Sequence, residues 1–244
     1  MGKATAGEDR YPYSPLTEVV CELRFPGEIA VESARELFWD QIRDTYPAIK
    51  VPVAQVGTAP AMQHYRYCTE DGSRWIAVAL NSLAMSVTQY TTHRPMLEEF
   101  KRVHELFRKC YPKLRRMNRV GWRYVNYIAF VRDAQGNAPV SEFFSTKLCA
   151  ATSLVGSAVK NLNVRVESPT SEGLAIVMLA TVHDAKDTTR EAFSLDLDFA
   201  IETKDMDFAD GPTKLAIARQ ANRQVFESMI CERYRAFLRG ETVE

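Results

Sequence analysis

The sequence predicts an α+β fold in which two similar βαβββα-like halves form one continuous, curved antiparallel sheet with helices packed on one face. The first observation is an order of elements that occurs twice: an apolar strand, a helix, a set of alternating strands and a long amphipathic helix. The second is strict apolar–polar alternation over residues 193–202, which is typical of an antiparallel strand with one hydrated face. Sequence identity between the halves is weak, so the predicted repeat is one of element order only.

The first half is predicted to occupy residues 15–114, after a polar, flexible N-terminus over residues 1–14. Turn-forming residues at 70–73 interrupt a stretch rich in β-branched and aromatic side chains, which indicates a hairpin followed by a further strand. Pro112 ends the last helix of this half. The predicted elements are a strand at 19–25, a helix at 31–45, strands within 63–90 and a helix at 96–111.

The second half is predicted to occupy residues 115–244. The connection at 112–119 is short and basic, without the glycine and serine of a flexible linker, so the two halves are expected to form one compact unit. Pro212 suits the first turn of a long final helix whose apolar stripe requires a sheet beneath it. The predicted elements are a strand at 120–131, a short helix at 140–150, strands at 162–167, 174–182 and 192–202, and a helix at 213–238.

Composition favours a cytoplasmic protein that is not drawn to nucleic acid or lipid by its overall charge. The 31 basic and 31 acidic side chains balance, so any such affinity must come from a local patch. The five cysteines are widely spaced and include no C-x-x-C pair, which favours reduced thiols. The N-terminus lacks the apolar run of a signal peptide, and no segment is long and apolar enough to span a membrane.

Three segments of the chain resemble a known family. They are residues 15–25 (PLTEVVCELRF), residues 119–128 (RVGWRYVNYI) and residues 222–227 (NRQVFE). The chain is similar to the sporadically distributed bacterial family of conserved hypothetical proteins of about this length, and the similarity extends over nearly the whole chain. The resemblance implies no catalytic residue, because none is established in that family.

The most unusual local feature is a basic segment at 108–124, in which seven basic residues and no acidic residue occur between positions 108 and 123. Aromatic residues are interleaved with the cations, as a surface that follows phosphates and stacks bases would need. A hydrated connection, or a patch that docks on an acidic protein surface, would show the same composition. The candidate nucleic-acid or partner-binding residues are Arg108, Lys109, Lys113, Arg115, Arg116, Arg119, Trp122, Arg123 and Tyr124.

An acidic segment at 184–210 carries nine carboxylates against three basic residues. The acidic and basic segments could pair in a homo-oligomer or keep the protein soluble. Asp196 and Asp198 lie two residues apart in a predicted strand, so both side chains point to one face and could hold Mg²⁺ or Mn²⁺. A hydrated strand face is the simpler interpretation of the same pair.

The sequence favours a non-catalytic binding or accessory subunit that acts through protein contacts, without a cofactor, in a bacterial defence, toxin–antitoxin or biosynthetic gene cassette. Dinucleotide-binding, P-loop and nucleophile-elbow motifs are absent, and the four histidines are dispersed. A nucleic-acid-binding protein that uses residues 108–124 is the first alternative. An enzyme with an unrecognised acidic or metal site is the second. The expected partner is another protein or a second copy of the chain.

Overall fold

The computed structural model describes residues 11–51, 64–152, 156, 158–183 and 190–241. Over these residues, nine strands form a single antiparallel sheet that does not close into a barrel. In chain order, the strands are β1 (Leu16–Arg24), β2 (Ala48–Lys50), β3 (Tyr65–Cys68), β4 (Arg74–Ala79), β5 (Ser82–Val87), β6 (Arg116–Phe130), β7 (Asn163–Pro169), β8 (Leu174–His183) and β9 (Glu191–Asp207).

The strand order places the first strand of each predicted half side by side. Across the sheet the order is β2-β3-β4-β5-β1-β6-β9-β8-β7. Val20 of β1 lies opposite Arg123 of β6, and Arg123 lies opposite Asp198 of β9. One ladder of hydrogen bonds therefore runs from the first half of the chain into the second. The α+β class and the antiparallel sheet are confirmed, whereas the repeat of two halves stays a prediction.

Seven α-helices accompany the sheet in the described part of the chain. Alternation along β1, β6 and β9 gives the sheet one apolar face, and the helices cover it. Asn222, in the sixth helix, donates from Nδ2 to the carbonyl oxygens of Trp122 and Leu197, 2.8 and 2.9 Å away. The helices are α1 (Ile29–Ser33), α2 (Arg35–Ile42), α3 (His93–Cys110), α4 (Val140–Phe143), α5 (Thr146–Thr152), α6 (Gly211–Met229) and α7 (Glu232–Arg239).

Three predicted helices are each divided in two, and the reason is local. The final helix, predicted at 213–238, is interrupted at Ile230, whose extended backbone forms a β-bridge with Phe144. The predicted helix at 31–45 is interrupted at Ala34, where φ is −135° and ψ is 38°. The predicted helix at 140–150 is interrupted at Phe144, which has extended backbone. Apolar spacing predicts which side of a helix is buried but carries little information about such interruptions.

Other predictions are confirmed within a few residues. The helix predicted at 96–111 begins at His93 and ends at Cys110, and the strand predicted at 120–131 begins earlier, at Arg116. No disulfide joins any of the five cysteines, all of which lie in the described part of the chain. The predicted flexible N-terminus falls mostly outside the described residues, and so does the start of the region at 63–90.

Candidate functional site

The candidate site is an aromatic groove beside the end of β6. It has a volume of about 450 Å³, within the range of sites that accept ligands, and its lining is mostly apolar. Residues 13–15 form one side, residues 127–129 of β6 form the floor, and α4 and α7 form the opposite wall. Four aromatic side chains line it, those of Tyr13, Phe143, Tyr234 and Phe237, and β6 contributes Tyr127, Ile128 and Ala129.

The groove exists because β6 extends further than its neighbour β1. The amide of Tyr127 donates to the carbonyl oxygen of Pro15 at 2.9 Å, just before β1 begins. The hydroxyl of Thr17 donates to the carbonyl oxygen of Val125 at 3.0 Å, where the register of the two strands shifts. Beyond this point β6 remains paired with β9 as far as Phe130, but β1 no longer accompanies it. The last residues of β6 therefore present a free edge to the groove.

A row of aromatic side chains forms the wall. The rings of Phe143 and Tyr234 lie 5.0 Å apart at 70°, and those of Tyr234 and Phe237 lie 6.0 Å apart and nearly parallel. The ring of Tyr13 continues the row at 5.7 Å from Phe237. Tyr13 and Phe237 are 60% and 54% exposed, which is unusual for rings grouped in one place.

The connections around α4 hold this wall in position. The amide of Cys231 donates to the carbonyl oxygen of Phe143 at 3.0 Å, and the amide of Ser145 donates to that of Met229 at 2.8 Å. The Cys231 sulfur accepts from the amide of Tyr234 at 3.4 Å and so caps α7. The interruption between α6 and α7 therefore fixes α4 and turns Tyr234 toward the groove.

One ion pair stands at the rim of the groove. Arg233 and Glu142 lie 3.7 Å apart, and both side chains are more than half exposed. Burial raises the pKa of Tyr234, so its hydroxyl stays protonated at physiological pH. The rest of the lining is mostly apolar.

A second, small cavity of about 40 Å³ lies under the segment that leads into β1, with room for about one or two water molecules. The hydroxyl of Tyr11 donates to Glu227 at 2.8 Å, and the Arg223 guanidinium lies 5.1 Å from the centre of the Tyr11 ring. Burial acts to raise the pKa of Glu227, but the Tyr11 hydrogen bond and the arginines around it prevail and lower it. These contacts attach the N-terminal segment to α6 and complete one side of the groove.

The structure divides the basic segment into exposed and buried parts. Trp122 is fully buried and Tyr124 is 6% exposed, because even-numbered side chains of β6 face the helices. Their rings therefore present no face to a base, so Trp122 and Tyr124, two of the candidate binding residues, are not placed to stack on one. Arg108, Lys109, Lys113, Arg115 and Arg116 are all exposed.

The remaining two arginines of that segment bind the aspartates that were considered as metal ligands. Both oxygens of Asp196 accept from Arg123, and Asp198 accepts from Arg119 at 2.5 Å. Burial raises the pKa of Asp198, against the opposing effect of Arg119. In the described residues, no group of three or more His, Cys, Asp or Glu side chains is placed to hold a metal ion. The basic segment and the aspartate pair, which the sequence presents as two separate candidate sites, therefore bind each other.

No local pattern in the sequence indicates the groove, because its rings come from positions as distant as Tyr13, Phe143 and Phe237. In α7, Leu238 is fully buried while its neighbour Phe237 is 54% exposed, and this difference depends on the packing of the helix.

Comparison with known proteins does not assign the chain to a family. No family model matches the chain, and no curated protein matches it in sequence. Among the described residues, none of the helices combines the length and apolar character required to cross a bilayer.

Proposed function

We propose that this protein is a non-catalytic binding or accessory subunit that holds a partner protein in the aromatic groove. The observation that carries the proposal is the grouping of exposed rings, Tyr13 and Phe237, around a groove of about 450 Å³ beside a free strand end. Aromatic side chains lose little conformational entropy on binding and dominate the energetic centres of protein interfaces. A surface that contacts only water gains no stability from such a row of exposed rings.

The charged face of the sheet supports the same conclusion. Asp196 and Asp198 are engaged by arginines, so the acidic pair considered for an enzyme is already neutralised within the chain. This leaves the groove as the better supported site, and the acidic-site enzyme as the weaker alternative.

The test is affinity purification from the native host at moderate salt, with half of each sample treated with nuclease. The wild-type chain is compared with Phe237→Ala and with Leu37→Ala, a matched control whose side chain is 50% exposed on α2. A protein retained in stoichiometric amount by the wild type and the control, and lost from Phe237→Ala, is the expected result. Equal retention by all three chains would contradict the proposal.

A second candidate function, nucleic-acid binding, is favoured by one observation. Arg108, Lys109, Lys113 and Arg115 are exposed at the end of α3 and in the turn after it, and none has an ion-pair partner among the described residues. Binding of a labelled single-stranded DNA is expected to weaken steeply with salt and to be lost in the Arg108→Glu/Lys109→Glu variant. Lys147→Glu, on α5, is the control that keeps binding. DNA affinity that is indifferent to salt and to the double substitution would exclude this function.

We also propose that the protein belongs to a bacterial family, acts in the cytoplasm and contains a repeat of two halves. Resemblance of three segments supports membership of the sporadically distributed bacterial family and a role in a cytoplasmic defence, toxin–antitoxin or biosynthetic cassette. In the strand order, β1 and β6 lie side by side, with β5 next to β1 and β9 next to β6. The last strand of each predicted half thus lies beside the first strand of that half, which supports a repeat of two halves. The exposed cations also leave room for a homo-oligomer that pairs basic and acidic surfaces.

A further inference from the structure

We propose that the partner enters the groove as an extended segment that adds a strand to the free end of β6. This inference rests on the proposed function and names the chemistry of the partner: an extended segment that alternates apolar and polar side chains and carries an acidic residue. The extended backbone pairs with β6, the apolar side chains contact the rings, and the acidic residue contacts Arg233.

The backbone of Ala129 is the first support. Amide groups alternate in direction along a strand, and the Tyr127 amide points to the side of β1, where it donates to Pro15 at 2.9 Å. The N–H and C=O of Ala129 therefore point to that same side, where no described strand lies beside them. Ala129 is also exposed. Unpaired donors and acceptors at a strand edge are satisfied by another extended chain in β-strand addition.

The direction of the neighbouring side chains supplies the second support. Ile128 is 2% exposed and points to the face of the sheet that the helices cover, on the same side as the rings of α4 and α7. A strand beside β6 would direct alternate side chains toward Phe143 and Phe237 and the others toward the opposite face of the sheet. The groove therefore selects a segment with apolar residues at every second position.

The charge at the rim supplies the third support. Arg235 and Arg239, on the same helix as Arg233, form close contacts with the carboxylates of α6 and α7 and of the segment after α7. Among the described residues, Arg233 instead has one ion-pair partner, Glu142, at the longer distance of 3.7 Å, and its side chain is 64% exposed. It is the cation of the groove that is best placed to accept a carboxylate from a ligand.

The occupant is a segment of another protein, in keeping with the proposed function. The exposed rings of Tyr13 and Phe237 supply its apolar contacts, and Arg233 supplies its charged contact.

The experiment uses the full chain and linear peptides selected against it from a random displayed library. The strongest peptide is synthesised unmodified and in two N-methylated forms, one methylated on odd positions and one on even positions. Only alternate N–H groups of an added strand face β6, so one methylated form is expected to bind roughly tenfold or more weakly and the other nearly as well as the unmodified peptide. Fluorescence anisotropy gives the affinities.

Variants of the protein test the same contacts from the other side. Ala129→Pro removes the N–H and is expected to weaken the unmodified peptide by a similar factor, whereas Ala129→Ser keeps the N–H and the affinity. Arg233→Gln is expected to weaken peptides that carry an acidic residue and to leave the others unchanged. Far-ultraviolet circular dichroism checks that each variant is folded.

The outcomes separate this inference from the proposed function. Equal effects of odd and even N-methylation, or a library that yields no peptide dependent on Phe237, would overturn strand addition. If the partner captured from the host still depends on Phe237, the proposed function stands while the strand is rejected. If neither capture nor peptide binding depends on Phe237, both are rejected.

Discussion

His104 is an ionisable side chain enclosed between α3 and the short 3₁₀ turn at 208–210. It is 2% exposed, and its Nε2 donates to the carbonyl oxygen of Phe208 at 2.8 Å. The rings of Phe100 and Phe208 lie 6.3 and 4.8 Å from it. Burial lowers its pKa to about 4 from an ordinary 6.5, so the folded protein keeps this imidazole neutral.

We predict that His104 makes the protein less stable as pH falls from about 6.5 to about 4. The unfolded chain binds a proton in this interval that the folded chain does not, so the free energy of unfolding decreases, by up to about 3 kcal/mol. Urea unfolding at several pH values measures this, and His104→Gln should remove that part of the dependence. His183→Gln, at an exposed position, should keep it; an unchanged dependence in His104→Gln would contradict the assignment.

Arg119 joins three strands across the hydrated face of the sheet. Its guanidinium contacts Glu22 of β1 at 2.8 Å and Asp198 of β9 at 2.5 Å, and its side chain is 12% exposed. Gly121 makes this position available, since a Cβ there would lie 2.6 Å from Nη1 of Arg119. The arginine thus neutralises carboxylates contributed by both halves of the chain.

Substitution of Arg119 by methionine is expected to lower the free energy of unfolding by about 3 kcal/mol, because the poorly solvated Asp198 loses its arginine and Glu22 keeps, among the described residues, only Arg24. Arg24→Met, at a side chain that is 52% exposed, should cost less than about 1 kcal/mol. Adding Asp198→Asn to Arg119→Met should recover part of the loss. Chemical denaturation of the three variants checks this, and similar costs for Arg119 and Arg24 would refute it.

At the scale of elements, the turn between β7 and β8 depends on close approach to β9. Gly173 lies at this turn, where the amide of Thr170 donates to its carbonyl oxygen at 2.7 Å. A Cβ at Gly173 would lie 2.3 Å from the carbonyl oxygen of Ala200, a backbone atom that cannot turn aside. The outer strands are thus positioned by the absence of a side chain.

Gly173→Ala is therefore expected to destabilise the protein by about 1–3 kcal/mol, as overpacking commonly does. Gly27→Ala is the control, because the added methyl group would make ordinary contact with Leu80 at 3.5 Å. Thermal unfolding compares the two variants. A Gly173→Ala protein as stable as the control would show that β8 and β9 can separate at this end without cost.

At the scale of the whole molecule, β1 and β6 bind the two halves through a ladder that extends from Leu16 to Arg24. Val19, Cys21 and Leu23 of β1 are fully buried. Neither half could expose this edge and these side chains to water without a large loss of apolar burial.

We therefore predict one cooperative unfolding transition. Tryptophan fluorescence reports on Trp39 and Trp75 in the first half and Trp122 beside the junction, and far-ultraviolet circular dichroism reports on the whole sheet. Both signals should give the same urea midpoint, and residues 15–114 expressed alone should not fold. Two separate midpoints would indicate independent domains.

The sequence by itself determined the α+β class, the antiparallel sheet and the approximate position of α3, β6 and β9, because apolar periodicity is a local property of the chain. It also placed Trp122 and Arg123 next to each other, and alternation along a strand was sufficient to send them to opposite faces.

Only the tertiary structure decided the strand order, the interruption at Ile230 and the pairing of Arg119 with Asp198. It also decided that Tyr13, Phe143 and Phe237 would meet beside the end of β6. These features depend on contacts between residues far apart in the chain, and no local pattern in one sequence specifies which distant side chains come together.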